Sequence, residues 1–140
     1  MRLWHIDLIP YLPKSQLVAQ NRELGSIYKD QPNHILINYI YNYDKEYLLC
    51  YSISVHNEMV KRGFKIKDWT NYNNYFKNVF NRDEILRFTE HSFDYLTQCF
   101  YNLQEKYQRG QKDFSKEIYN KLENFYLKEK RKSLKKGDVL

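Results

Sequence analysis

A chain of 140 residues has the length of one ordinary domain. With 42% hydrophobic and 17% aromatic residues it carries enough apolar surface to close a core, which excludes wholesale disorder. Lys and Arg outnumber Asp and Glu by 23 to 17, and the net charge of +6 suits a polyanionic partner without choosing among nucleic acid and acidic membrane.

The first thirteen residues hold Pro10 and Pro13 around Tyr11-Leu12 and read as an extended arm, because proline removes an amide donor and disfavours helix at the residue before it. A helix is expected from Lys14 or Ser15, with Leu17, Leu24, Ile27 and Tyr28 on one face, and Asp30-Gln31-Pro32-Asn33 breaks it. Ile35 to Tyr41 fits either a short strand or the start of a helix. Residues 43–62 read as a helix on Leu48, Leu49, Ile53, His56 and Val60, stopped by Lys61-Arg62-Gly63. Residues 64–82 are the least regular stretch, with Trp69, Tyr72, Tyr75, Phe76 and Phe80 set among asparagines; Trp69, Tyr72, Tyr75 and Phe76 read first as packing and second as surfaces for a base, a place that Tyr11 can also fill. A long helix capped by Asp83 is expected over 84–108, from the stripe Ile85, Phe88 or Thr89, Phe93, Leu96, Phe100, Leu103 and Tyr107, and is closed by Gly110. Asp113 is expected to open the last helix, which carries Phe114, Ile118, Leu122 and Phe125 and dissolves into the Lys/Arg run of residues 128–136. That run holds six basic side chains and one acid, so it accounts for five of the six net charges.

The reading is a mainly α, compact single-domain fold over residues 1–127, with the arm packed among the helices and a basic tail over 128–140. Cys50 and Cys99 stand far apart, which points to a reducing compartment rather than a disulfide framework. The four histidines show no helical ligand spacing and the four glycines stand singly, so no metal, cofactor or phosphate loop is expected. Arg2, His5, Asp7 and the prolines interrupt any signal-peptide core, and the expected location is the cytoplasm.

Composition and spacing stop at a basic helical protein; motifs go further. Leu17-Val18-Ala19-Gln20-Asn21-Arg22-Glu23-Leu24, followed by Tyr43-Asp44-Lys45 and Lys61-Arg62-Gly63-Phe64-Lys65-Ile66-Lys67-Asp68, resembles the active-site and central helices of pyrimidine-dimer DNA glycosylases of the phage endonuclease V type. The opening Met1-Arg2-Leu3-Trp4-His5 and Leu8-Ile9-Pro10-Tyr11-Leu12-Pro13 is similar to the cellular branch of that family, and the resemblance covers roughly residues 1–68.

The resemblance implies a glycosylase with abasic-site lyase activity whose nucleophile is the first residue's α-amine, here Met1, since Arg2 is too large a neighbour for methionine excision. An α-amine, with a reference pKa of roughly 7.7–8.0, keeps a usable neutral fraction near pH 7. Glu23 matches the family's catalytic glutamate, which stabilises cationic sugar states and shuttles protons, and Arg22 matches the phosphate-anchoring arginine beside it. Neighbours on a helix point about 100° apart, so the two can serve sugar and phosphate separately. Arg2, Lys14, Gln16, Gln20, Lys29, His34, Lys61, Arg62, Lys65 and Lys67 are the expected DNA contacts. Gln16 stands where the family has a histidine and Ser26 where it has an arginine, with Lys29 one turn on as a substitute phosphate contact; these changes bear on which lesion is preferred. The implied partner is damaged double-stranded DNA, bound by a monomer with no membrane involved. Without the resemblance, Arg22-Glu23 reads as a solvated pair on an amphipathic helix, and the rival functions are a non-catalytic nucleic-acid binder of the same fold and a helical protein-interaction module.

Overall fold

The computed structural model describes residues 1–136, which are mainly α-helical with no strand among them. Five helices follow the arm: α1 (Lys14–Asp30), α2 (Lys45–Lys61), α3 (Thr70–Tyr75), α4 (Phe93–Gln108) and α5 (Lys116–Lys135). Helices α2 and α3 lean on α1, while α4 pairs with α5. The arm runs between these two groups and touches both α2 and α5.

That placement follows from the arm's own composition. Leu3, Leu8, Ile9 and Leu12 are all at most 1% exposed, so it is core rather than appendage. Within the arm, residues 1–5 and 12–13 lack regular structure. Ile6–Tyr11 wind into a 3-10 helix instead of staying extended, because the His5 side chain caps the Asp7 amide and the fixed φ of Pro10 suits a tight turn.

Helices α1 and α2 lie where the spacing placed them. The end of α2 is a glycine stop: Gly63 sits at φ +80°, its amide donates to the Val60 carbonyl, and the Phe64 amide reaches back to Met59. The ambiguous stretch after α1 becomes a short 3-10 helix, Asn38–Asn42, and α3 is one regular turn and a half inside the segment read as irregular, with Asp68 capping the Thr70 amide.

The second half departs further. Helix α4 begins at Phe93, not at Glu84, with Ser92 Oγ as its cap. Phe88 and His91 do enter the core, but as a non-helical turn, and Ile85, the first residue of the expected stripe, is 68% exposed. Helix α5 is capped by Ser115 rather than by Asp113. Asp113 caps a different helix: its carboxylate accepts from the Ser15 amide at 2.7 Å and the Ser15 hydroxyl at 2.6 Å, at the start of α1. The Lys/Arg run does not dissolve, since α5 continues through residues 127 and 128 to Lys135 and buries Ser133. Residues 137–140 of the expected tail lie outside the described residues.

Candidate active site

Residues 2–4 are tied down on every side by backbone hydrogen bonds. The Gln20 carboxamide, 1% exposed on α1, accepts the Trp4 amide on Oε1 at 2.8 Å and donates from Nε2 to the Arg2 carbonyl at 3.0 Å. The Tyr51 hydroxyl of α2 lies 2.7 Å from the Trp4 carbonyl and 2.8 Å from Gln20 Oε1, with one proton to share between them. From the other side Tyr95 of α4 donates to the Leu3 carbonyl. With Leu3 and Trp4 buried, Met1 emerges half-buried at the surface in a fixed place.

It emerges at a cleft of about 270 Å³ lined by Met1, Arg2, Trp4 and Glu23 on one side and Asn102, Glu105 and Lys106 of α4 on the other. Glu23 Oε2 lies 3.4 Å from Gln20 Nε2, one helical turn earlier. Glu105 is engaged by Arg109 at 2.8 Å. Burial raises the Tyr95 hydroxyl and the Cys99 thiol, and the positive charge of Arg2 pulls each back. The cleft thus gathers Met1, the Glu23 carboxylate and the side chain of Lys106, and a carboxylate and a cation can move a proton and hold an anion.

Arg22 faces elsewhere. It lines a groove of about 570 Å³ between α1 and the segment 65–72, together with Lys29, Lys65 and Lys67. His56, Trp69 and Tyr72 line the same groove, their rings 4.9–5.2 Å apart, and Trp69 is 40% exposed. Glu23 and Arg22 therefore open onto two different depressions on α1, as their angular offset requires.

The other expected contacts are scattered. Gln20 is buried beneath the arm and offers no group to a surface ligand. Arg62 is engaged internally, binding Glu58 at 2.8 Å and the carbonyls of Leu12 and Pro10 at 2.7 and 3.1 Å, so it clasps the arm to the end of α2. Lys61 lines a separate cleft with Asp7 and Arg87. Gln16 exchanges amide hydrogen bonds with Gln111, Lys14 rests over the Phe64 ring at 5.1 Å, and His34 accepts the Leu36 amide in the loop after α1. Phe76 is buried, Tyr72 and Tyr75 pack on Tyr28, and Tyr11 stacks on Phe125 at 4.7 Å, so of the rings read as surfaces for a base Trp69 is the freest, while Phe80 beyond α3 is 79% exposed.

Trp4, Asn102, Glu105 and Lys106 were not singled out from the sequence as site residues. The available signal was that Asn102, Glu105 and Lys106 recur at i, i+3 and i+4 beside the apolar stripe of α4, which gives a polar face but not what it faces.

Beneath the cleft His5 and His91 are buried. Burial, with the like charges of His5 and Arg87, lowers His91 to about 3, so its ring is neutral; Nδ1 accepts the Ile6 amide at 3.2 Å, which leaves the proton on Nε2, 2.7 Å from the Tyr39 hydroxyl. Among the described residues no three His, Cys, Asp or Glu side chains gather as metal ligands would, and no helix is long and apolar enough to cross a membrane.

The pattern that carries Met1, Arg22 and Glu23 is also the part of the chain with relatives. No curated protein and no solved structure matches the sequence. Residues 1–72, just over half of the chain, match the family model described as pyrimidine dimer DNA glycosylase. The matched region holds the arm, α1, α2 and the groove-forming segment, so the chain belongs to the pyrimidine dimer DNA glycosylase family.

Proposed function

We propose that the protein is a DNA repair glycosylase with abasic-site lyase activity, acting on pyrimidine dimers or related lesions in double-stranded DNA through the α-amine of Met1. The observation that carries this reading is that Met1 and Glu23 line one open cleft, with the arm behind Met1 held rigidly. The neutral amine attacks the sugar C1′, the C1′–N bond breaks, and its electron pair leaves with the base, which takes up a proton. Loss of the amine proton and opening of the sugar ring give an imine between Met1 and C1′. The Glu23 carboxylate stabilises the cationic sugar and then accepts the C2′ proton, the C3′–O bond breaks with the 3′ phosphate as leaving group, and water hydrolyses the imine to return the amine.

In this reading Arg22, Lys29, Lys65 and Lys67 take backbone phosphates along the groove, and Lys106 supplies a further cation beside the sugar. The protein acts as a monomer and needs no cofactor. Incubating it with a duplex bearing an abasic site in the presence of borohydride tests the reading. A reduced covalent adduct mapping to Met1 is expected. Binding without adduct indicates a non-catalytic DNA binder, and neither binding nor adduct removes DNA from the account.

A further inference from the structure

Gln20 has no place in the chemistry just described, yet it is the most connected polar side chain near the cleft. It is 1% exposed, and its hydrogen bonds go to the backbone that precedes and follows Leu3, to Glu23 and to the Tyr51 hydroxyl. Oε1 receives the Trp4 amide, which fixes the orientation of the carboxamide, because the opposite assignment would set two donors face to face. Nε2 then has two hydrogens, one aimed at the Arg2 carbonyl at 3.0 Å and one at Glu23 Oε2 at 3.4 Å.

The arm hangs from α1 by this amide, and Glu23 lies one turn further along the same helix. A misplacement of about 1 Å between reacting groups can cost on the order of 100-fold in rate. We propose that Gln20 is a positioning residue that sets the Met1 amine against the Glu23 carboxylate, one end of its side chain fixing the backbone leading to the amine and the same nitrogen fixing the carboxylate. This rests on the proposed function. It makes the spacing of the reacting pair a property of one buried amide shared by the arm and α1, with the Tyr51 hydroxyl as its support from α2.

The substitution Gln20→Glu tests this, because it preserves every heavy-atom position while replacing the Nε2 donor by an oxygen that meets two acceptors, the Arg2 carbonyl and Glu23. The charged and titratable groups around that position are the Met1 amine, Arg2 and Glu23, with Glu105 and Lys106 across the cleft from α4 and Tyr51 from α2. The measurement is the single-turnover rate of borohydride-trapped adduct on abasic duplex, at a temperature where circular dichroism shows wild type and variant fully folded. At pH 8 the rate is expected to fall about 10- to 100-fold, with duplex affinity changed less than about threefold. The variant-to-wild-type ratio is expected to climb as pH drops toward 5, since a protonated carboxyl regains one donor; a role confined to stability moves neither quantity in a folded protein.

Tyr51→Phe is the second variant, removing one support of the same amide, with a smaller loss of about threefold expected. Wild-type rates in the folded variants overturn the proposal, as does a loss of rate matched by an equal loss of affinity; if only Tyr51→Phe folds, its rate decides. Absence of any adduct from the wild-type protein is a separate result that overturns the proposed function itself, and this proposal with it.

Discussion

Glu23 and Arg22 are adjacent in sequence and open onto different depressions, so their substitutions should separate chemistry from binding. Glu23→Gln, which keeps shape but removes the base, is expected to lower strand cleavage at least 100-fold while leaving salt-sensitive DNA binding intact, as single-turnover nicking and equilibrium binding across a salt series will show. At the same scale two histidines make the protein acid-sensitive. Burial lowers His56 to about 4, and burial with neighbouring positive charge lowers His91 to about 3, from 6.5 in the unfolded chain. Below pH 6.5 the unfolded chain therefore binds more protons, up to about one extra per ring, so the histidine contribution is whole above pH 6.5 and is lost on acidification toward their folded values. The urea midpoint should fall from pH 7 to pH 5, and His56→Phe, set between Trp69 and Tyr72, should flatten that dependence. Arg22 and Glu23 could be named from the sequence because a short contiguous motif carries them; Gln20 lies inside that motif, but its burial depends on Trp4 and Tyr51 and no local pattern shows it.

At the scale of elements, the helices with local stop signals were legible and those without them were not. Gly63 closes α2 by its own backbone geometry, so the end of α2 follows from the sequence. The start of α4 does not, because Phe88 happens to fall in phase with the α4 stripe while actually packing under Tyr39, Tyr43 and Tyr47 in a turn. Asp113 misleads in the same way: its type suits a cap, but the helix it caps is α1. Burial pushes its carboxyl up, and hydrogen bonds from Ser15 and Gln111 outweigh that and hold it below the usual range. Asp113→Ala is expected to cost about 1 kcal/mol of stability, as a lost helix cap does, measured by urea unfolding, even though the residue lies outside α1. Arg62→Ala should also destabilise the protein, by more than its ion pair with Glu58 alone explains, because it releases the carbonyls of Pro10 and Leu12.

At the scale of the molecule, net charge is an uneven quantity. Most of it sits on the last turns of α5 and its cap, where Lys128, Lys130, Arg131 and Lys135 are exposed on a continuous helix and Lys136 follows it. Deleting this segment would also remove buried Ser133, so replacing Lys128, Lys130, Arg131 and Lys135 by Gln is the cleaner experiment. The expected outcome is weaker duplex binding with a salt dependence shallower by about one unit of slope or more, and unchanged trapping of the imine. Both walls of the cleft show why the site was only half legible: one is written into residues 1–23, whereas the other arrives on α4 through packing.

Beyond Gln20, Tyr51 and Arg62, several hydrogen bonds that hold the arm and the start of α1 come from far along the chain: Tyr95 to Leu3, His91 to Ile6, Gln111 to Gln16 and Asp113 to Ser15. Contacts that distant form late, since closing a long loop must precede them. A chain emerging from the ribosome therefore carries its whole recognisable motif long before it owns a working site. The cleft that Met1 shares with Glu23 is complete only when α4 has been made and has docked, because Asn102, Glu105 and Lys106 form its other wall.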